Sequence, residues 1–140
     1  MNPIFRREKG FSLLELIIIV VVVIILAGIS IPIYNKSKES ILGKEAVTNL
    51  KLIAVAEKIY RMKYDAYISC NCSDSAECAS GSGCNTLLKT NLNTQNWIYA
   101  AIAAGGSFTA TATRKGSGGY LDCVYTISAD DNEPTGAGCP

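Results

Sequence analysis

The chain of 140 residues contains no histidine. That absence excludes an imidazole general base, the Ser-His-Asp and Cys-His nucleophile systems, and His-ligated zinc. Charge is scarce as well: 18% of residues are Asp, Glu, Lys or Arg, and 13 basic against 12 acidic side chains leave a net charge of +1. No basic stripe stands out, which argues against an electrostatic nucleic-acid binder on charge grounds. No combination of nucleophile, base and oxyanion donors can be assembled, and the reading is a non-enzyme without cofactor or resident metal. The length allows one small domain plus one appended element. What the sequence has in excess is apolar surface, 49% of residues, spread very unevenly.

The first ten residues, MNPIFRREKG, set Arg6, Arg7 and Lys9 against Glu8. Phe11 to Ile33 follows, 23 residues whose single charge is Glu15. As a helix this run spans about 34 Å at ~1.5 Å per residue, enough for a hydrocarbon layer of ~30 Å. The positive flank comes first, which keeps the N-terminus cytoplasmic and exports the rest. An ordinary secretory signal has a shorter apolar core and a small-residue cleavage site. Here the run is longer, and Gly28-Ile29-Ser30 is a poor site. Neither a signal peptide nor a plain anchor accounts for Glu15. A carboxylate at mid-helix costs roughly 2.5–3.5 kcal/mol on insertion scales, less near an end, and so calls for a partner.

Lys9-Gly10-Phe11-Ser12-Leu13-Leu14-Glu15, followed by the aliphatic run and Pro32, resembles the N-terminal signature of type IV pilins and type II secretion pseudopilins. The resemblance implies cleavage between Gly10 and Phe11 by a prepilin peptidase at the cytoplasmic face, and N-methylation of the new terminal Phe11. The mature chain, residues 11–140, would carry 10 basic and 11 acidic side chains, a charge of −1 before termini. The resemblance also gives Glu15 a partner, the Phe11 amine of a neighbouring subunit. In an apolar bundle an unpaired charge is costly, and a paired one fixes axial register. Phe11, Glu15 and Pro32 are thus the expected assembly residues. Gly28, Ser30 and Pro32 interrupt the run, Gly weakening a helix by roughly 1 kcal/mol and Pro by about 3. The resemblance implies a stretch that is helical in the monomer and extends in a filament; a simple Pro kink is the other reading.

Helical character continues from Ile33 to about Tyr64. Ala46, Leu50, Ile53, Tyr60 and Tyr64 recur at helical spacing, interrupted by Glu57, which has to pair or lie at the edge of the stripe. Leu52, Val55, Ala56, Ile59 and Met62 form a second group on the opposite side. Two stripes predict burial on two sides, one against a head domain and one between subunits.

All six cysteines lie after residue 69: Cys70, Cys72, Cys78, Cys84, Cys123 and Cys139. An even number in an exported head reads as disulfides, with 15 possible pairings. The first four sit in a Ser/Gly/Asn-rich stretch without clear periodicity. Their C-x-C-x5-C-x5-C spacing is not the paired C-x2-C of zinc ribbons. Pairing Cys123 with Cys139 would close a loop of about 17 residues, worth roughly 3 kcal/mol in the chain-entropy model. The resemblance favours this pair, with the other four cysteines pairing among themselves. Asp130-Asp131-Asn132-Glu133 carries oxygen ligands but not EF-hand spacing, and reads as an acidic turn.

Three strands complete the reading. Trp97 to Ala103 is apolar, Gly105-Gly106-Ser107 turns, and Phe108 to Arg114 alternates with Phe108, Ala110 and Ala112 on one face. Gly116 to Gly119 turns again, and Tyr120 to Ser128 sets Leu121, Cys123, Tyr125 and Ile127 on one side. The expected fold is α+β: a long N-terminal helix packed on an antiparallel sheet of three to four strands, disulfide-stabilised. The expected division is a leader at 1–10, a transmembrane and assembly helix at 11–33, and a head at 34–140. Within the head lie an amphipathic helix at 34–66, a Cys-rich connecting loop at 67–95, the sheet at 96–128 and a C-terminal loop at 129–140. The resemblance implies a pilus subunit that polymerises for adhesion, motility or DNA uptake. Its implied partners are copies of itself, the prepilin peptidase, the inner-membrane assembly platform and its ATPase, the membrane before assembly, and nucleic acid only as uptake cargo. It would sit in the bacterial inner membrane as a precursor and then in an extracellular pilus. The alternatives are a pseudopilin in a short periplasmic fibre and a membrane-anchored binding module that never polymerises.

Overall fold

The computed structural model describes residues 10–116 and 121–139, with the backbone alone for Ser30 and Pro32. The leader, Gly10 apart, and the turn read at Gly116 to Gly119, Gly116 apart, lie outside the described residues. The chain divides into two units, Met1–Ser37 and Lys38–Pro140.

One helix, α1 (Leu13–Tyr64), supplies the first unit from Leu13 on and the opening of the second. Its backbone stays helical through Gly28, Ser30 and Pro32. It ends where Asp65 turns left-handed at φ 56° and donates its N–H to the Arg61 carbonyl at 2.8 Å. Arg61 and Lys63 in the last turn suit the negative end of the helix. Then follow β1 (Cys70–Cys72), the short helices α2 (Ser75–Cys78) and α3 (Cys84–Leu87), β2 (Trp97–Ala104), β3 (Ser107–Arg114), β4 (Val124–Ser128) and β5 (Thr135–Ala137).

The strands form an antiparallel sheet in the order β1-β2-β3-β4-β5. β2 and β3 meet in a hairpin that closes at the Ala104–Ser107 pair. Gly105 and Gly106 both take positive φ there, 59° and 78°, as a two-residue turn matched to strand twist requires. Alternation along β3 buries Phe108, Ala110 and Ala112 and turns Thr109, Thr111 and Thr113 outward.

Five strands replace the three to four expected. β1 and β5 are three residues each and carry no usable period. β1 is fixed by its cysteines, and the exposed β5 pairs with β4 next to Cys139, which is bridged to Cys123. The 67–95 stretch, expected as a connecting loop, carries β1, α2 and α3. Cys70–Cys84 and Cys72–Cys78 pin β1 to the start of α3 and the end of α2, and all four sulfurs sit in buried residues. α2 has its own start signal: the Asp74 carboxylate accepts from Glu77 N–H at 2.8 Å, while the Glu77 carboxylate accepts from Ser73 N–H at 3.0 Å. Lys115 then ties this stretch to the sheet by donating to the carbonyls of Ser73 and Thr94. β4 begins later than expected, at Val124. Leu121 is exposed, and Cys123 still pairs with β3 through its carbonyl, which accepts from Arg114 N–H at 3.0 Å.

The core forms between α1 and the inner face of the sheet: Ala46, Leu50 and Ile53 on the helix, Trp97, Tyr99, Phe108 and Ile127 on the strands. Polar tips in this core find partners. The Trp97 indole N–H donates to the Leu42 carbonyl at 3.0 Å, and Asn49 donates to the Tyr99 hydroxyl at 2.8 Å. Burial pushes the Tyr99 phenol up to about 12. Tyr125 packs its ring on Trp97 at a 5.7 Å centroid distance and is wedged between two glycines. A Cβ at Gly43 would lie 2.6 Å from the Tyr125 hydroxyl, and one at Gly136 would lie 2.7 Å from its ring. Glu57 is completely buried, not paired at an edge. One carboxylate oxygen accepts from Ile68 N–H at 3.1 Å, and the other, Oε1, has no partner. Burial raises its pKa above the ordinary carboxylate value, opposed by the Ile68 hydrogen bond.

Two predictions follow from this packing. Gly43→Ala gains up to about 1 kcal/mol of helix propensity but overpacks Tyr125, and we expect a net loss of about 1–2 kcal/mol. Adding Tyr125→Phe, which removes the obstructing hydroxyl, recovers part of it, as thermal unfolding of the full chain in detergent would show. For Glu57 the folded pKa lies above the unfolded one, so the folded state holds the proton more tightly. Its contribution is complete below the ordinary carboxylate pKa and is lost as pH rises through the elevated folded value. Glu57→Gln should therefore flatten the decline in stability above that range, and unfolding midpoints over a pH series measure the slope.

Candidate functional site

The residues expected to act in processing and assembly fall on one exposed segment. Gly10, Phe11 and Ser12 precede α1, and the Ser12 carbonyl accepts from Leu16 N–H at 3.1 Å. Phe11 is 76% exposed. Glu15 is exposed in the first turn, where the helix dipole favours an anion. Among the described residues no ion pair or hydrogen bond engages its carboxylate. Pro32 lies within the helix, and its side chain is outside the described part. The large apolar side chains from Leu13 to Ile33 are all exposed, and α1 contains a window long and apolar enough to cross a membrane of which none is buried. Among the described residues nothing covers this surface, which suits lipid or other helices.

In the second unit the two helical stripes separate by burial. Ala46, Leu50 and Ile53 of the first are buried and Tyr60 is half-buried, but Tyr64, expected on the same face, is exposed and packs its ring 4.5 Å from Tyr60. Of the second stripe, Leu52, Val55, Ile59 and Met62 are exposed, Met62 to 80%, while Ala56 is nearly buried. The head thus leaves an apolar helix face uncovered beside the one it covers.

Sequence reasoning missed a clamp that spans 75 positions. Arg114, the last residue of β3, donates Nε–H to Glu39 at 3.0 Å and Nη2–H to its second oxygen at 3.1 Å. Its Nη1 donates to the Asn96 and Lys115 carbonyls at 2.9 and 2.6 Å, and its guanidinium lies 5.6 Å from the centre of the Trp97 ring. The Arg114 hydrogen bond holds the Glu39 carboxyl below its ordinary pKa against partial burial. This is a two-pronged, partly dehydrated ion pair, the strong kind. No local pattern announces it, since Glu39 reads as one more polar residue of a helix face.

The acidic turn is engaged in local structure. The Asp131 carboxylate accepts from Ser128 N–H and its hydroxyl at 2.9 and 2.8 Å, and Lys51 pairs with Glu133 at 2.6 Å. Cys123 and Cys139 are bridged, which closes the segment that holds this turn. Among the described residues, no cluster of three or more His, Cys, Asp or Glu side chains could hold a metal ion.

Comparison with known proteins bears on part of the chain. The family described as "Prokaryotic N-terminal methylation motif" matches residues 5–31. The chain is also similar to the type IV major pilin protein PilA of Myxococcus xanthus (strain DK1622), at 41% identity over 61 residues. That stretch is 44% of this chain, and the match spans 28% of the relative's length. No solved structure matches the chain. The methylation motif and the likeness to a major pilin together make this chain similar to type IV pilins over part of its length.

Proposed function

We propose that the chain is a structural subunit of a type IV pilus, polymerising through its N-terminal helix into a surface filament for adhesion, motility or DNA uptake. The observation that carries this reading is the exposed run of apolar side chains from Leu13 to Ile33, nearly all of which lies within the matched methylation motif, residues 5–31. Such a surface is stable in lipid and equally stable in a bundle of like helices.

The proposed sequence of events starts with a prepilin peptidase cutting between Gly10 and Phe11. The freed Phe11 amine is methylated and stays positively charged. The helix waits in the inner membrane with its head outside the cytoplasm. A platform driven by a cytoplasmic ATPase then draws subunits into the filament. Exchange of lipid for protein brings little hydrophobic gain, because lipid is equally apolar. Register therefore has to come from packing and from polar pairs. The Glu15 carboxylate of one copy would meet the Phe11 amine of the next, where the low dielectric makes an unpaired charge costly. The head contributes no catalytic group in this scheme. Its cross-links keep its surface intact outside the cell.

Glu15→Ala should leave the protein in the membrane fraction and abolish filaments. Electron microscopy of sheared surface material, with mass spectrometry of its main band, checks both this and the processing. Long filaments built from a chain that begins at N-methylated Phe11 are the expected result for the unaltered protein. Short fibres confined to the periplasm would instead mark a secretion pseudopilin. A solitary protein that retains residues 1–10 would mark a non-polymerising anchor, and normal filament yield from Glu15→Ala would remove the role given to that residue.

A further inference from the structure

Among the described residues Glu57 is the single Asp, Glu, Lys or Arg that is fully buried. It takes no part in the assembly steps proposed above. Its Oε1 has no hydrogen-bond partner, and its other oxygen accepts from the Ile68 N–H at 3.1 Å. Ile68 belongs to residues 65–69, the connection that leaves α1 at Asp65 and enters β1 at Cys70. Both ends of this connection are fixed. Asp65 donates its N–H to the Arg61 carbonyl at 2.8 Å, and Cys70 is bridged to Cys84. Between these ends the printed holds are light. Beside the Ile68 bond, Arg61 Nη1 donates to the Tyr67 hydroxyl at 3.0 Å, the Tyr67 ring packs on Phe108 at a 5.0 Å centroid distance, and the Ala103 N–H donates to Ser69 Oγ at 2.9 Å. Tyr67 and Ile68 are half-buried, while Asp65, Ala66 and Ser69 are exposed. An open cavity of about 250 Å³ separates the connection from the β2–β3 hairpin, with Asp65, Ala66 and Tyr67 on one wall and Gly105, Gly106 and Ser107 on the other.

We propose that residues 65–69 form a pH-sensitive strap, latched over Glu57 while its carboxyl is protonated and loosened when it ionises. A neutral carboxyl tolerates the dry site at the cost of one idle oxygen. A carboxylate there holds a charge on one hydrogen bond, and burial penalises it. Burial raises the Glu57 pKa, opposed by the Ile68 bond, so the closed strap binds the proton more tightly than an open one. Lifting the strap hydrates the carboxylate. It also detaches Tyr67 from Arg61, which stands four positions after Glu57, the spacing at which acid and base pair on a helix. Other charges are poorly placed to substitute. Lys58 and Lys63 on α1 and Lys89 after α3 are exposed, and Asp65 on the strap is a further exposed acid. On the inner face of the sheet, Tyr99 is titratable and is engaged by Asn49. Arg114, the charge on that face, grips Glu39, eighteen positions before Glu57 and about 27 Å away along the helix. The fixed ends at Asp65 and Cys70 confine the opening to the strap, a local event of the kind that precedes global unfolding.

The test is amide hydrogen exchange of the full chain in detergent micelles, over a pH series that starts below the ordinary carboxylate value and stops short of tyrosine ionisation. The Ile68 and Ala103 amides, which bond to Glu57 and Ser69, report the strap. After correction for intrinsic exchange, their opening constant should rise by up to about tenfold per pH unit between the ordinary carboxylate value and the raised closed-state value, as release of one proton requires, and then level off. Glu57→Gln keeps the shape and an acceptor for Ile68 but cannot ionise, and both amides should then open to the same degree at every pH. Constant protection of Ile68 in the unaltered protein overturns the proposal, and so does an equal pH response in Glu57→Gln. A response of the same size at the Leu50 and Ala110 amides marks global rather than local opening and overturns it as well. The carbon-13 resonance of the Glu57 carboxyl in the unaltered chain gives a reading that needs no variant. Its titration midpoint should lie above the ordinary value and coincide with the pH at which the Ile68 response levels off, and a midpoint at the ordinary value overturns the latch. None of these readings depends on filament formation.

Discussion

A single helix, Leu13–Tyr64, has to satisfy two environments, and this constraint organises the molecule. Its first stretch has apolar side chains in every direction and none buried, which is tolerable only in lipid or among other helices. From Ala46 onward it shows the one-sided burial of a helix lying on a sheet, with Ala46, Leu50 and Ile53 inside and Lys44, Lys51 and Lys58 toward water. The changeover falls near Ser37, where the chain divides into its two units. Only a few residues later the head takes hold of the helix through Glu39, the Leu42 carbonyl and the close approach at Gly43.

These three holds share a centre. Trp97 donates to Leu42, carries the Arg114 guanidinium over its ring and packs Tyr125 against its edge. Arg114 in turn grips Glu39 with two hydrogen bonds. Strand ends from β2, β3 and β4 thus converge on one turn of α1. A head of about one hundred residues has a limited core, and small domains of this kind commonly lean on cross-links. Here the cross-links lie away from the Trp97 cluster. Two bind the strand-edge segment around β1, and one closes the C-terminal segment beside β5, so covalent bonds secure the two edges of the sheet.

How much of this was legible in the sequence depends on how far the causal residues lie from one another. The apolar run and the Gly105-Gly106 hairpin are local, and the sequence reveals them through length and through glycine's tolerance of positive φ. The alternation in Phe108 to Arg114 is local too, and its inward face is the buried one. Strands β1 and β5 were hidden because three residues cannot display a period. The start of α2 was readable in principle from Asp74-Ser75-Ala76-Glu77, a capping pattern masked by the surrounding Ser and Gly. Glu57 could be flagged as an intruder in an apolar stripe. Its full burial could not be foreseen, because the hydrogen bond that admits it comes from Ile68, after the chain has turned back. The Glu39–Arg114 clamp had no local signal whatever. As for Gly10, Phe11, Glu15 and Pro32, the roles expected of them rest on resemblance to a family signature and on contacts beyond one chain, so a single fold shows where they lie in the sequence of elements and gives them no partners among the described residues.

If the subunit does polymerise, the thermodynamics of the transfer limit where specificity can reside. Apolar helices leave lipid for an equally apolar bundle, and the transfer discriminates poorly between one axial register and the next. A slip by one turn keeps most van der Waals contact and changes few apolar areas. Charges behave differently, because a displaced ion pair in a low dielectric loses its partner and retains its desolvation penalty. The chain has one such charge in its apolar run, Glu15, four residues after Phe11. A single polar constraint of this kind at the core of a filament would fix height, although most of the buried surface is indifferent to it.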